Sequence, residues 1–253
     1  MNSKLRRSKI VEITNAEKKV EVNYLADLFS ASKETIRRDL VVLSEKGLLR
    51  KMHGGAAAIQ TAIESPASSR FKDCSFEKKK IANHAAALLI PGDSLFVDTG
   101  STTYALCEGL CNSNELTIVT NSLMLALNVG AGSDHAIYLV GGKYDVKTSE
   151  TYGNLALEMI NKFHCDHAFI TVGGIDLNGN CMDYNVDEAG IAEAMIQQAR
   201  SVTILADHSK IGRKALCKVC DLSNISRIIT DRRPSEEFIN QLEINEVELI
   251  IAD

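Results

Sequence analysis

The chain has no tryptophan, only three prolines in 253 residues, and aromatic residues at 5%. It also lacks any apolar run near the roughly 18 residues that a membrane helix needs, which excludes a helical membrane protein. The basic start, Met1 to Arg7, runs into an amphipathic segment and not into the apolar core of a signal peptide, so a cytoplasmic location is expected. Cysteine is present, but its seven copies are an odd number scattered through expected helices and strands. That pattern indicates free thiols in a reducing compartment and argues against a disulfide framework. Two contiguous groups have ligand-like spacing, Cys217-Lys218-Val219-Cys220 and His164-Cys165-Asp166-His167. Structural zinc needs four convergent ligands, usually as two spaced pairs, and there is no second CxxC, so no metal is expected. No Walker A loop occurs, and no G-x-G-x-x-G follows a strand, which argues against a nucleotide cofactor; none of any kind is expected.

What is present is unevenly distributed. Residues 1–53 carry 12 Lys/Arg against 7 Asp/Glu, a net +5, whereas the remainder carries 16 against 26, a net −10. The whole chain has a net charge of −5. A basic head on an acidic body implies that the head meets a polyanion and the body does not.

The head has the pattern of a winged helix-turn-helix. Leu5, Ile10 and Ile13 permit a first helix, and Val20 and Val22 a short extended piece. Asn23 is a candidate N-cap for a second helix carrying Leu25, Ala26, Leu28 and Phe29. Ser32 can cap a third helix that runs to about Lys46 and stops at Gly47. In that helix Ile36, Leu40 and Leu43 share the core face, leaving Lys33, Glu34, Thr35, Arg37 and Arg38 outward on the N-terminal half. Arginine can bind guanine bidentately, threonine can touch a thymine methyl or a phosphate, and lysine adds electrostatic affinity. Leu48 to Gly55 reads as a β-wing, with Arg50, Lys51 and His53 able to reach phosphates or a minor groove. Double-stranded operator DNA is the expected partner, contacted by Ser32, Lys33, Glu34, Thr35, Arg37, Arg38, Arg50, Lys51 and His53.

Residues 58–75 lose periodicity around Ser65-Pro66-Ala67-Ser68-Ser69 and read as a linker between a DNA-binding domain (1–57) and a larger α/β domain (76–253). The body alternates strands and helices. Seven strands are expected, at 94–98, 116–120, 136–140, 167–172, 201–206, 227–230 and 247–251, with helices around 102–111, 122–130, 153–163, 187–199 and 235–243. Continuous apolar runs such as Leu95-Phe96-Val97 point to a mainly parallel sheet buried on both faces. In such sheets ligands sit beyond the carboxyl ends of the strands, and there the polar residues gather. Asp98-Thr99-Gly100-Ser101-Thr102-Thr103 has the hydroxyls and backbone N–H groups of a phosphate cradle at a helix N-terminus. Thr120-Asn121-Ser122, Gly141-Gly142-Lys143, Gly173-Gly174-Ile175-Asp176 and Asp207-His208-Ser209-Lys210 end further strands. Lys143 and Lys210 offer charge to a phosphate.

The stretch Val22 to Ala26, Ser32 to Leu40, Leu43, Gly47, Arg50 and His53-Gly54-Gly55-Ala56 resembles the N-terminal signature of DeoR-family repressors. There the segment matching Ser32 to Leu40 is the recognition helix. The strand-end segments extend the resemblance along the chain. They imply a C-terminal domain similar to ribose-5-phosphate isomerase and sugar-phosphate deaminase folds, binding a phosphorylated sugar. Carried over by position, the resemblance implicates Asp98, Gly100, Ser101, Thr102, Thr103, Thr120, Asn121, Gly141, Gly142, Glu188 and Lys210; Lys143 and Asp176 join them from strand-end position alone. Val186 departs from an N-E-x-E pattern in which Asn185 and Glu188 persist, and Gly173-Gly174 replaces a pair that often differs; both bear on which sugar binds. The expectation is a repressor of a carbohydrate catabolic operon, released by its effector, and assembled as a homodimer or homotetramer. The alternative is an isomerase or deaminase, with Asp98, Asp176, Asp207, Glu188 and Lys210 supplying base and phosphate anchor. Such chemistry leaves a basic head of fifty residues without a role.

Overall fold

The computed structural model describes residues 2–45, 48–58, 64, 67–113, 115–131 and 133–253. The chain divides into two compact units, 1–61 and 62–253. Among the described residues no helix is long and apolar enough to cross a membrane.

In the first unit, α1 (Ser3–Glu17) leads through β1 (Lys19–Glu21) to α2 (Val22–Leu28) and α3 (Lys33–Glu45), followed by β2 (Arg50–Met52) and β3 (Gly55–Ala57). The extended piece expected around Val20 is β1, and it pairs antiparallel with β3, which pairs antiparallel with β2. Gly55 is required by that pairing, because a Cβ there would lie 2.0 Å from the carbonyl oxygen of Val20. Ile10, Val20, Leu25, Ile36, Leu40, Leu43 and Leu49 form the core. The cap expected at Asn23 is corrected: α2 begins two residues earlier, after Glu21, whose side chain makes no capping bond. The register follows from β1, which ends directly against α2 and leaves no room for an Asn cap. Ser32 does cap α3, its Oγ accepting from the Thr35 N–H at 3.1 Å. The stop expected at Lys46-Gly47 lies outside the described residues.

The second unit opens with α4 (Ala67–Arg70) and α5 (Ser75–Ala86), then β4 (Ser94–Val97), α6 (Ser101–Tyr104), α7 (Cys107–Cys111), β5 (Thr117–Thr120), α8 (Leu123–Gly130) and β6 (Ala136–Leu139). A hairpin, β7 (Lys143–Asp145) and β8 (Glu150–Tyr152), precedes α9 (Asn154–Ile160) and β9 (Cys165–Ile170). There follow β10 (Gly174–Ile175), β11 (Asn180–Asp183), α10 (Val186–Gln197), β12 (Ala199–Leu205), β13 (Cys217–Asp221), β14 (Arg227–Thr230), α11 (Glu236–Ile244) and β15 (Glu248–Ile251). The seven strands expected from sequence form one sheet in the order β15-β14-β12-β9-β4-β5-β6, and every pairing in it is parallel. The small sheet β10-β11-β13 is additional.

Side chains alternate across the large sheet as strand geometry demands. Phe96, Val119, Ala168, Ile170, Ile204 and Ile228 pack on one face with Ala156, Ile160, Met195 and Phe238. Leu95, Val97, Ile118, Phe169, Leu205 and Ile229 pack on the other with Ile81, Leu110 and Leu125. Each fully buried side chain of this kind contributes about 1.5–3 kcal/mol. Burial on both faces is why the strands read as unbroken apolar runs.

The strand order also places the site. From β4 the chain steps outward through β5 to β6, then returns to lay β9 on the opposite side of β4. The loops leaving β4 and β9 therefore run to opposite sides and open a crevice between their carboxyl ends.

Candidate functional site

Two adjoining clefts lie at that crevice. They share Arg70, Thr99, Gly100, Ser101 and Glu188. One extends over Phe71, Tyr104, Ser122, Met124, Thr148 and Glu150. The other extends over Glu64, Thr102, Thr171, Gly173, Asp183 and Lys210.

Asp98 is buried beneath the floor. Its Oδ2 accepts from the Thr171 N–H at 2.9 Å and its carboxylate also accepts from the Thr171 hydroxyl, so it ties the β4 loop to the β9 loop. Burial holds its carboxyl well above the usual range, against the lowering effect of the Thr171 hydrogen bonds. Gly100 sits so close to Thr171 that a Cβ would fall 2.3 Å from its Oγ1. Thr103 turns inward and donates to the Gly100 carbonyl. The helix expected to start here is one turn, α6, before the chain breaks and resumes as α7. A single turn carries little dipole, so loop N–H groups and hydroxyls, not a helix end, make this wall.

The charged groups are a mixed set. Arg70 pairs with Glu64 at 2.8 Å, while its buried Nε has no hydrogen-bond partner among the described residues. The buried Oγ1 of Thr99 has none either. Both atoms belong to residues that line the clefts. Burial lowers the pKa of Lys210, and neighbouring Arg213 lowers it further, against the opposing pull of Glu64, Asp207 and Asp183. Glu188 is pushed up to about 8, first by burial and then by Glu150, Asp183 and Glu64, with Arg70 opposing. Burial also raises the carboxyls of Glu64, Glu150 and Asp183. Glu188 receives a hydrogen bond from Asn185 Nδ2 at 3.1 Å.

Of the residues expected at the effector site, Gly100, Ser101, Thr102, Glu188 and Lys210 line the clefts. Asp98 and Thr103 support them. Thr120 and Asn121 are buried behind: Thr120 Oγ1 accepts from the Ser122 N–H, and Asn121 Nδ2 donates to Glu150 and to the Thr151 carbonyl. The remaining four lie elsewhere. Lys143 is exposed on β7 with its ammonium 5.3 Å from the Tyr152 ring centre. Gly141 and Gly142 precede that hairpin, Gly142 at φ +132° against the Tyr152 carbonyl. Asp176 closes its own turn, accepting from the N–H groups of Asn178 and Asn180. These positions follow strand ends in sequence, but β6 is an edge strand, separated from β4 by β5, and β10 belongs to the second sheet. Thr99, part of the expected cradle segment, also lines both clefts; residues missed from sequence are Glu64, Arg70, Glu150, Thr171 and Asp183.

In the first unit Ile36 and Leu40 of α3 are buried, and Arg37 and Arg38 are 60% and 78% exposed, each near Glu34. Ser32, Lys33 and Glu34 are exposed, and Thr35 is half-buried with its hydroxyl 2.8 Å from that of Ser32. Arg50, Lys51 and His53 are exposed on the wing. The sequence reading missed Asp39, 2% exposed, which accepts from Arg6 Nε at 2.6 Å and Arg7 Nε at 2.7 Å and so ties α1 to α3. Two basic residues of the head are thereby structural.

Comparison with known proteins agrees with this architecture. The model of the DeoR C-terminal sensor domain matches residues 74–232, and that of the DeoR-like helix-turn-helix domain matches residues 6–62. The glycerol-3-phosphate regulon repressor of Escherichia coli (strain K12) is 31% identical over 98% of this chain and 99% of its own length. The HTH-type transcriptional repressor GlcR of Bacillus subtilis (strain 168) is 35% identical, over 96% and 94%. Among solved structures, eIF2B beta from Chaetomium thermophilum is similar in fold at a TM-score of 0.50 and 12% identity, over 88% of this chain and 60% of that one. A D-ribose-5-phosphate isomerase in complex with phospho-erythronic acid gives a TM-score of 0.40 at 18% identity, over 53% and 52%. With transcriptional repressors matching it along nearly its whole length, the chain belongs to the DeoR family and is a transcriptional regulator, not an enzyme.

Proposed function

We propose that this regulator represses a carbohydrate catabolic operon and is released from its operator by a phosphorylated sugar or polyol held in the cleft between the ends of β4 and β9. The observation that carries the reading is the combination of Arg70 Nε and Thr99 Oγ1, buried without partners, with Lys210 in the same cleft. Cationic and hydroxyl donors suit a phosphate. The acids opposite, Glu64, Asp183 and Glu188, suit the hydroxyls of a polyol, since carboxylates accept and neutral carboxyls can also donate. One relative is named for the glycerol-3-phosphate regulon, a phosphorylated polyol.

Release requires that the effector bind the DNA-free state more tightly than the DNA-bound state. The DNA contacts assigned to this function are Lys33, Glu34, Thr35, Arg37 and Arg38 of α3, with Ser32 before it and Arg50, Lys51 and His53 on the wing. A homodimer or homotetramer is part of the proposal, because one small head reads too few bases and paired half-sites supply the specificity. Calorimetric titration of the full chain with a panel of sugar phosphates and their free sugars tests the site. Binding of one phosphorylated member without its free sugar is expected, and equal affinity for both would remove phosphate from the account.

A further inference from the structure

Cys74 and the adjacent pair Asp207-His208 come from distant stretches of sequence and meet in the second unit. Cys74 is half-buried just before α5, in the left-handed region at φ 53°. Asp207 and His208 follow β12, Asp207 buried and His208 half-buried. A sulfur, a carboxylate oxygen and a ring nitrogen from the three lie within 4.8 Å of one another. His208 Nδ1 lies 2.8 Å from Asp231 Oδ2, and Asp231 also accepts from the His208 N–H at 2.6 Å. A hydrogen bond from Nδ1 fixes the ring so that Nε2 keeps its lone pair. Asp207 Oδ1 accepts from the Ser209 N–H at 2.9 Å. The nearby ammonium of Lys78 donates to the carbonyl oxygens of Arg70 and Asp73.

We infer that Cys74, Asp207 and His208 form a binding site for a divalent transition-metal ion of the zinc class, with Asp231 orienting His208 from behind. Mixed sulfur, nitrogen and oxygen donors suit a borderline-soft ion, and three protein ligands leave one position for water. A carboxylate on the far nitrogen of a ligating histidine is the recurring support of such sites. On binding, the Cys74 thiol gives its proton to solvent and the thiolate ligates. The ion would link the start of α5 to the loop that carries Lys210, which lines the effector cleft. Spaced pairs such as Cys217 and Cys220 do not reveal this set, because Cys74 lies more than 130 residues before the adjacent Asp207 and His208.

The full-length chain, freed of metal by chelation, is titrated with Co²⁺ alone and then with Zn²⁺ in competition. The expected result is one Co²⁺ per chain with a thiolate-to-cobalt charge-transfer band in the near ultraviolet, displaced by Zn²⁺. Cys74→Ser abolishes the band, and His208→Gln weakens binding at least about tenfold. Asp231→Asn keeps all three ligands and is expected to retain the band at roughly 10–100-fold lower affinity, which keeps the test decisive even where Cys74→Ser fails to fold. Persistence of the band in Cys74→Ser, its loss only in Cys217→Ser or Cys220→Ser, unchanged affinity in both His208→Gln and Asp231→Asn, or absence of micromolar binding by either ion would each overturn the site.

Discussion

The N–H of Thr171 donates to Oδ2 of Asp98 at 2.9 Å, joining the ends of the two strands between which the sheet order reverses. The pair sets the spacing of the walls that carry Thr99 and Gly173. Asp98→Asn keeps an acceptor for that N–H and is expected to fold with near-normal stability. Asp98→Ala leaves a buried donor unpaired and is expected to cost about 1–3 kcal/mol. Thermal melts of both variants, with effector binding measured alongside, check this; equal stability of the two would show that the bond does not hold the loops.

Asp39 is buried against Arg6 and Arg7. Asp39→Ala removes the one acceptor shared by both, but Arg7 is 34% exposed and can turn to water. The loss is therefore expected near 2 kcal/mol, below the roughly 3–5 kcal/mol of a fully enclosed pair. Hydrogen exchange of α1 and α3 amides in the full chain reads it locally, with faster exchange expected there and none in the second unit.

Arg37 and Arg38 are exposed on the same half of α3, so sequence selectivity separates their roles. Replacing Arg37 with Ala is expected to weaken operator binding about 10–100-fold while weakening random DNA less, as loss of a base contact would. Equal loss on both DNAs, with a salt slope smaller by about one, would reduce Arg37 to a phosphate contact.

Glu188 gives the cleft a pH dependence. It is pushed up to about 8 from an ordinary 4.5, facing Glu150 of β8, Asp183 of β11, Glu64, and the opposing Arg70 of α4. A carboxyl raised on folding stabilises the fold fully below the unfolded value, and that contribution is lost as pH rises through the folded value. Stability is expected to fall between about pH 4.5 and 8 and level off above that, and affinity for a phosphorylated effector to fall as pH rises through about 8, where a new negative charge joins the other acids. Glu188→Gln flattens both profiles; a profile unchanged by the substitution would assign the titration to another group.

Much of the second unit is legible in sequence because its sheet is buried on both faces: runs such as Leu95-Phe96-Val97 need no partner to be recognised. The short hairpin of β7 and β8 and the small sheet of β10, β11 and β13 carry too few alternating residues to show a period. The cleft is only half legible for the same reason. Ser101, Thr102 and Lys210 follow long strands, but Glu150 sits on the hairpin and Asp183 ends β11. Glu64 and Arg70 lie in a Ser/Pro-rich stretch whose composition signals a linker, and only three-dimensional placement brings them to Glu188 and Lys210. The strand-end rule overreaches at Lys143, since it cannot tell the edge strand β6 from the central pair.

A gel-shift titration tests the central claim most directly: the full chain on the promoter DNA of its own operon, repeated with each sugar phosphate and its free sugar. Specific binding released by one phosphorylated member, and no longer released in Lys210→Ala while that variant still binds the DNA, is the predicted result. Retention of the shift with every phosphorylated sugar, or release that survives Lys210→Ala unchanged, would contradict it.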